Sequence, residues 1–331
     1  MTNPARYLVF EDQKKTIKSI KDVRGDGSFY TMDCLSDHRL EEILTAGPGT
    51  MDEFMAALQK YLVADRLKKP TVGAGCAAFK AVDKKGHVLV GRNFDFKHVP
   101  STMLIRTKPE TGYKAFGMCD LVFAGFEKGQ LTDGKTDITN AVAFPYVTMD
   151  GINEKGLFIC CLQLRKAETR QNTGKTKLLS TVALRAALDK TENVQGVVDL
   201  FGSYDMQTSM DGNDFHFFVA DADGDSIVIE YLRNQMNVIK TDHVTNFFLS
   251  PGARRKGGGK LRYDVMGDIL DYRNGILEKS DAMDVLRFIS QPSGDKGTSY
   301  TLWSAVYDLT EGSVDLAIDQ KYGDVLHYSL K

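Results

Sequence analysis

The sequence predicts an α+β fold in which antiparallel sheets are covered by helices. Three observations predict it. Strand signals come in adjacent pairs joined by short Asp- and Gly-containing turns. Helix-period segments come two at a time, and the strand–helix–strand alternation of a parallel βαβ fold is missing. The 331 residues carry 42 Lys+Arg against 44 Asp+Glu, a formal net charge of −2, and 42% are hydrophobic. That balance describes a globular chain and gives no electrostatic reason to expect nucleic acid or an anionic membrane as partner. No window is as apolar and long as a membrane helix or a signal-peptide core, so a cytoplasmic protein is the expectation.

In chain order, the first 75 residues read as mostly helical and too small for much core of their own. His38–Thr45 has a short helical pattern. Thr50-Met51-Asp52-Glu53 is a capping box that opens a helix running to about Asp65. Leu67 to Gly75, charged and punctuated by Pro and Gly, reads as a linker.

From Cys76 the texture becomes β. Cys76–Val82 turns at Asp83–Gly86 and returns as His87–Asp95. Val147–Leu164 repeats the pattern around a turn at Asn153–Gly156. Leu178–Leu188 has apolar residues at helical spacing, and Val194–Phe201 reads as its antiparallel partner helix. Phe215–Leu232 makes a third hairpin around Ala222–Asp225. Two helices follow, Arg262–Tyr272 and Ser280–Ile289, and Ser299–Ile318 closes with a fourth hairpin.

Two motifs lead nowhere. Asp221–Glu230 resembles a calcium loop, but Gly224 and Glu230 each come two positions early, and a hairpin turn explains the run. Gly252–Lys260 is basic and Gly-rich without P-loop order, and reads as a surface loop before the Arg262 helix. Neither a metal nor a cofactor is expected. The five cysteines are odd in number and form no CxxC pair, so they are buried small hydrophobes or one of them is reactive.

The reactive candidate is Cys76. A cysteine opening a strand is more often structural than catalytic, but this hairpin brings back Gly91-Arg92-Asn93-Phe94-Asp95 beside it. An Arg and an Asp at the end of an otherwise apolar strand are costly to bury unless they pair or serve a site. Among the histidines, His87, His98 and His216 lack the neighbourhood of a Cys–His pair.

Cys-x-x-Phe, a Gly-containing turn and then Gly-Arg-Asn-Phe-Asp resemble the start of the mature chain in the choloylglycine hydrolase family. These are linear-amide C–N hydrolases of the N-terminal-nucleophile superfamily, which includes bile salt hydrolases and penicillin V acylases. Asp150–Leu157 is similar to the family's second hairpin, Thr245-Asn246 to its oxyanion-hole Asn, Leu261-Arg262-Tyr263 to its helix start with a site arginine, and Tyr300–Asp308 to its closing strand. The Cys-to-Asp block is the specific one. The resemblance covers 76–331 in order.

The resemblance implies a four-layer αββα sandwich of two antiparallel sheets and makes residues 1–75 a prosegment, cut from a 76–331 catalytic domain at Gly75–Cys76. The alternative is an ordinary N-terminal extension that stays attached. Gly75 lets the attacked carbonyl adopt the geometry the cleavage needs. The freed α-amine, with an ordinary pKa of about 7.7–8.0, would serve as base for a thiol near 8.5.

By resemblance Cys76 is the nucleophile, Asp95 orients its amine or thiol, Arg92 favours the thiolate, Asn246 donates to the oxyanion and Arg262 supports Cys76. Gln163 departs from the pattern, since bile salt hydrolases have Asn there and penicillin acylases usually Tyr. A small-molecule N-acyl amide other than a bile salt or penicillin V is therefore expected, with Phe94, Phe96, Phe144, Tyr146, Phe247 and Phe248 as candidate pocket residues. An acyltransferase using the same thioester and an inactive binding homologue are the alternatives. A homo-oligomer is expected only by analogy.

Overall fold

The computed structural model describes residues 11–62, 64, 67, 75–97, 99–165, 169–209, 213–253, 257–292 and 299–331. Much of the 67–75 linker, His98 and the centre of the 252–260 loop lie outside that set. The chain begins with α1 (Glu11–Lys18), β1 (Lys21–Asp22), β2 (Phe29–Cys34), α2 (Leu40–Ala46) and α3 (Met51–Leu62). There follow β3 (Gly75–Val82), β4 (Val88–Phe96), β5 (Thr102–Thr107), β6 (Ala115–Asp120), β7 (Asp150–Asn153) and β8 (Phe158–Arg165). Next come β9 (Lys177–Leu179), α4 (Ser180–Lys190), α5 (Val194–Gly202), β10 (Asp205–Gln207), β11 (Asn213–Ala220), β12 (Ser226–Leu232), β13 (Gln235–Lys240) and β14 (His243–Val244). The chain ends with α6 (Lys260–Tyr272), α7 (Lys279–Phe288), β15 (Tyr300–Asp308), β16 (Ser313–Ile318) and β17 (Leu326–Ser329).

Two large sheets carry the fold. One has nine strands in the order β1-β2-β5-β6-β7-β8-β11-β12-β13, and the other six in the order β14-β3-β4-β15-β16-β17. Within them every pairing is antiparallel except β2 with β5. The period-two alternation of β3 decides the layering. Cys76 and Ala78 join the large core shared with the nine-stranded sheet, whereas Ala77, Phe79 and Ala81 pack against Met266 and Leu270 of α6 and Leu286 of α7. Helices α4 and α5 pack against the nine-stranded sheet at β7, β8, β11 and β12. The α+β expectation and the αββα sandwich are both met.

All four expected hairpins and both helix pairs are present. The second hairpin is shorter than its apolar pattern, because residues 139–147 form a 3-10 stretch that precedes β7. The capping box is made: Thr50 Oγ1 accepts from the Glu53 amide at 3.2 Å, and Glu53 Oε2 accepts from the Thr50 amide at 3.2 Å.

The N-terminal segment goes beyond the helical reading. It also contributes β1 and β2, and Phe29, Tyr30 and Met32 are fully buried in the main core with Phe54 and Leu58 of α3. A buried ionic cluster ties it to α4. His38 Nε2 lies 2.6 Å from Asp189 Oδ2, and Arg185 Nη2 donates to Asp189 Oδ1 at 2.5 Å. Burial opposes the imidazolium, but the Asp189 carboxylate overrides it and raises His38 to about 9.

Candidate active site

The turn fixes the register that builds the site. Gly86 has φ +88°, a conformation glycine adopts without strain, and its amide closes the turn on the Asp83 carbonyl at 3.0 Å. The returning strand then sets Gly75 opposite Asp95, Cys76 opposite Phe94 and Ala78 opposite Arg92. Phe94 and Arg92 therefore share the sheet face of Cys76, while Asp95 points to the helix side.

On the inner face, Arg92 is fully buried between the sheets. Its Nε donates to Asp150 Oδ2 at 3.3 Å and its Nη2 to the Cys161 carbonyl at 2.9 Å. Among the described residues Nη1 has no hydrogen-bond partner. Asp150 is held from the other sheet's side by Trp303 Nε1 at 3.1 Å and Tyr307 Oη at 2.5 Å. Trp303 also stacks on Phe94 with ring centroids 4.0 Å apart.

On the helix side, Asp95 Oδ2 accepts from Arg262 Nη1 at 2.7 Å, and Oδ1 accepts from Thr301 Oγ1 at 2.6 Å. Arg262, in the first turn of α6, also sends Nη2 to the Cys76 carbonyl at 3.2 Å. Asn246 lies just past β14. Its Oδ1 accepts from the Cys76 backbone amide at 2.5 Å, and its Nδ2 donates to the Gln163 carbonyl at 2.9 Å. The side chains of Cys76, Arg92, Asp95, Asn246 and Arg262, with Gly75 and the Gln163 carbonyl, are thus gathered at one place.

Gly75 is confined by packing. A Cβ built on it would meet Gln291 Nε2 at 2.6 Å and Asp95 Oδ2 at 3.2 Å. Cys76 itself is 1% exposed. Burial pushes its thiol up. Arg92, the Asp95 backbone and Arg262 pull it down, the Asp95 carboxylate adds to the rise, and the net direction in the intact chain is upward. Arg92 favours the thiolate, as the resemblance implies, but burial outweighs it.

Sequence reasoning missed the supports of the Asn246 loop. Fully buried His216 places Nε2 2.8 Å from the Thr245 carbonyl and Nδ1 3.0 Å from Glu230. Glu230 accepts from the Leu249 and Ser250 amides at 2.8 Å each, and burial of its carboxyl is outweighed by these partners, which lower it. From the other side, Gly257 has φ +130°, and a Cβ there would lie 2.0 Å from the Asn246 carbonyl oxygen. The described end of the Gly-rich run is thus packed on the Asn246 loop. The Asp221 loop is the expected hairpin turn, since Asp221 Oδ1 accepts from the Asp225 amide at 3.1 Å and Glu230 points inward. Among the described residues no cluster of His, Cys, Asp and Glu could hold a metal, all five cysteines are free, and no helix is long and apolar enough to cross a membrane.

An apolar cavity is lined by Cys161, whose carbonyl accepts from Arg92, and by Met51, Phe54, Phe123, Tyr146, Met149 and Phe215. Of the aromatic residues expected to form a pocket, Tyr146 lines it. Phe247 instead packs edge-on to Tyr263, with centroids 5.0 Å apart.

Comparison with known proteins agrees with this geometry. The fold is similar to two variants of conjugated bile acid hydrolase from Clostridium perfringens, at 14% and 16% identity with TM-scores of 0.55 and 0.58, each covering 77% of this chain and 92% of that one. It is also similar to penicillin V acylase from Agrobacterium tumefaciens, at 17% identity and TM-score 0.55, over 77% of this chain and 86% of that one. At such identities the likeness speaks for the fold alone. No curated protein matches the sequence. The family pattern for linear amide C–N hydrolases of the choloylglycine hydrolase family, however, matches residues 76–246, just over half of the chain. The chain belongs to that family and is a hydrolase of linear amides.

Proposed function

We propose that the protein is an autoprocessed cysteine amidohydrolase that cleaves N-acyl amides through a thioester on Cys76. The observation that carries this reading is the convergence of Asn246, Asp95, Arg92 and Arg262, from the two faces of one strand, a loop and a helix, on a single cysteine.

Processing begins with the Cys76 thiolate attacking the Gly75 carbonyl. The peptide C–N bond breaks as the C–S bond forms, and the proton lost by sulfur ends on the departing Cys76 amine. Water then hydrolyses the thioester, leaving a Gly75 carboxylate and a free Cys76 α-amine. Residues 11–62 stay in place as part of the sheet, because β2 lies hydrogen-bonded between β1 and β5.

In the mature enzyme Asn246 Oδ1 keeps its hold on the Cys76 nitrogen, and the Arg262–Asp95 pair holds the residue from the helix side. The amine accepts the thiol proton. The thiolate attacks the substrate carbonyl, the ammonium protonates the leaving amine, and water releases the acid and restores the thiol. One Nδ2 hydrogen of Asn246 is engaged by Gln163, so we assign the other to the oxyanion, an interaction worth about 2.7–4 kcal/mol when single donors are removed.

Incubation with a panel of N-acyl amides tests the reading by release of free amine. The wild-type chain turns over part of the panel and Cys76→Ala none of it. Equal turnover by Cys76→Ala refutes it.

A further inference from the structure

The apolar cavity at Cys161 has a wall that belongs to the segment preceding Cys76. Met51 and Phe54 come from α3, and Leu67 from the chain between α3 and β3. The remaining wall comes from the rest of the chain, including Phe123 from a 3-10 turn at Leu121–Ala124, Tyr146 from the 139–147 stretch and Phe215 from β11.

Two contacts connect this cavity to the nucleophile. Phe94, which faces Cys76 across the hairpin, packs its ring edge-on to Phe123 with centroids 6.3 Å apart. Cys161, also in the wall, offers its carbonyl to the arginine whose charge acts on the Cys76 thiol. The lining carries no charged side chain. Its hydroxyls are engaged with protein partners: Ser180 and Ser209 bond each other at 2.9 Å, Ser209 bonds Thr181 at 3.1 Å, and Thr148 bonds the Pro145 carbonyl at 3.1 Å. Such a wall offers dispersion and water exclusion, and an ionised or strongly polar group entering it would lose hydration without recompense.

We propose that this cavity receives an unbranched, uncharged aliphatic acyl chain of the substrate, and that Met51 and Phe54 of the N-terminal segment set the chain length accepted. The proposal rests on the amidohydrolase reading for the position of the scissile bond. It gives the segment before Cys76 a lasting part in the mature enzyme: it shapes the substrate site as well as filling the core.

The test is a series of straight-chain acyl p-nitroanilides from acetyl to tetradecanoyl, with kcat and KM measured separately. The wild-type chain is compared with Met51→Ala, Met51→Trp, the milder Phe54→Leu, and Lys60→Ala on the exposed side of the same helix. Met51→Ala and Phe54→Leu should move the preferred chain length up by about two carbons, mainly through KM, since each methylene buried changes affinity severalfold. Met51→Trp should move it down and Lys60→Ala leave it unchanged. Comparing chain lengths within one variant cancels any loss of folded protein. Decanoate binding, measured by calorimetry on the wild-type and Met51→Trp chains, separates the two readings. Binding lost in Met51→Trp with no amide hydrolysed supports the cavity and defeats the amidohydrolase reading. A length preference common to all variants, or decanoate binding indifferent to Met51→Trp, overturns the cavity proposal.

Discussion

At the scale of single residues, the site was legible where a short turn determines the register. Cys76, Arg92 and Asp95 could be placed together because a hairpin closed at Asp83–Gly86 leaves little choice of partners. Asp150 was visible only as the start of a hairpin. Its bonds to Arg92, Trp303 and Tyr307 join residues far apart in the chain, which no local pattern encodes. Replacing Asp150 by Ala strands a fully buried guanidinium, and urea denaturation should show a loss of about 3–5 kcal/mol. Gly75→Ala should slow processing about tenfold or more, because its Cβ would displace Gln291 and Asp95 from beside the scissile bond. Processing at the rate of the unaltered chain would remove Gly75 from the account. The raised Cys76 thiol has a pH consequence. Thiolate grows as pH rises, so the first-order cleavage rate should still be climbing beyond the ordinary thiol range of about 8.5. A rate already level at neutral pH contradicts it.

Among the elements, strands with local partners and amphipathic helices were readable, and those defined by distant partners were not. β2 finds its neighbour in β5, across the entire α2–β4 stretch, and the pairing is parallel. Its burial is almost complete on both faces, so it lacks the alternation that marks a half-exposed strand. The described part of the Gly-rich run before α6 is the largely exposed loop expected, but its bearing on the Asn246 loop was not legible, for a related reason. Its glycines matter through the close approach of Gly257 and Gly259 to Thr245–Phe247. Gly257→Ala should lower kcat through a displaced Asn246 while circular dichroism stays unchanged. Wild-type kcat in that variant would show that this approach does not position the site.

For the whole molecule, the sequence divided the chain at Cys76, whereas the structure interleaves the two parts. The His38–Asp189–Arg185 cluster crosses that division in a dry environment. Because His38 is raised to about 9 in the fold, above its ordinary value near 6.5, its contribution to stability is complete below about pH 6.5 and is lost as pH rises through about 9. Thermal unfolding of the wild-type chain should show that decline and His38→Gln should lack it. The same interleaving predicts that the two products of processing co-elute under native conditions and separate only in denaturant.

In the proposed mechanism Cys76 works with its own freed amine. Intact mass and N-terminal sequencing of the purified, active protein test it most directly. Two polypeptides are expected, the larger beginning at Cys76, with amidase activity proportional to the amount of that chain. Full activity from a single uncut 36.8 kDa polypeptide would contradict it.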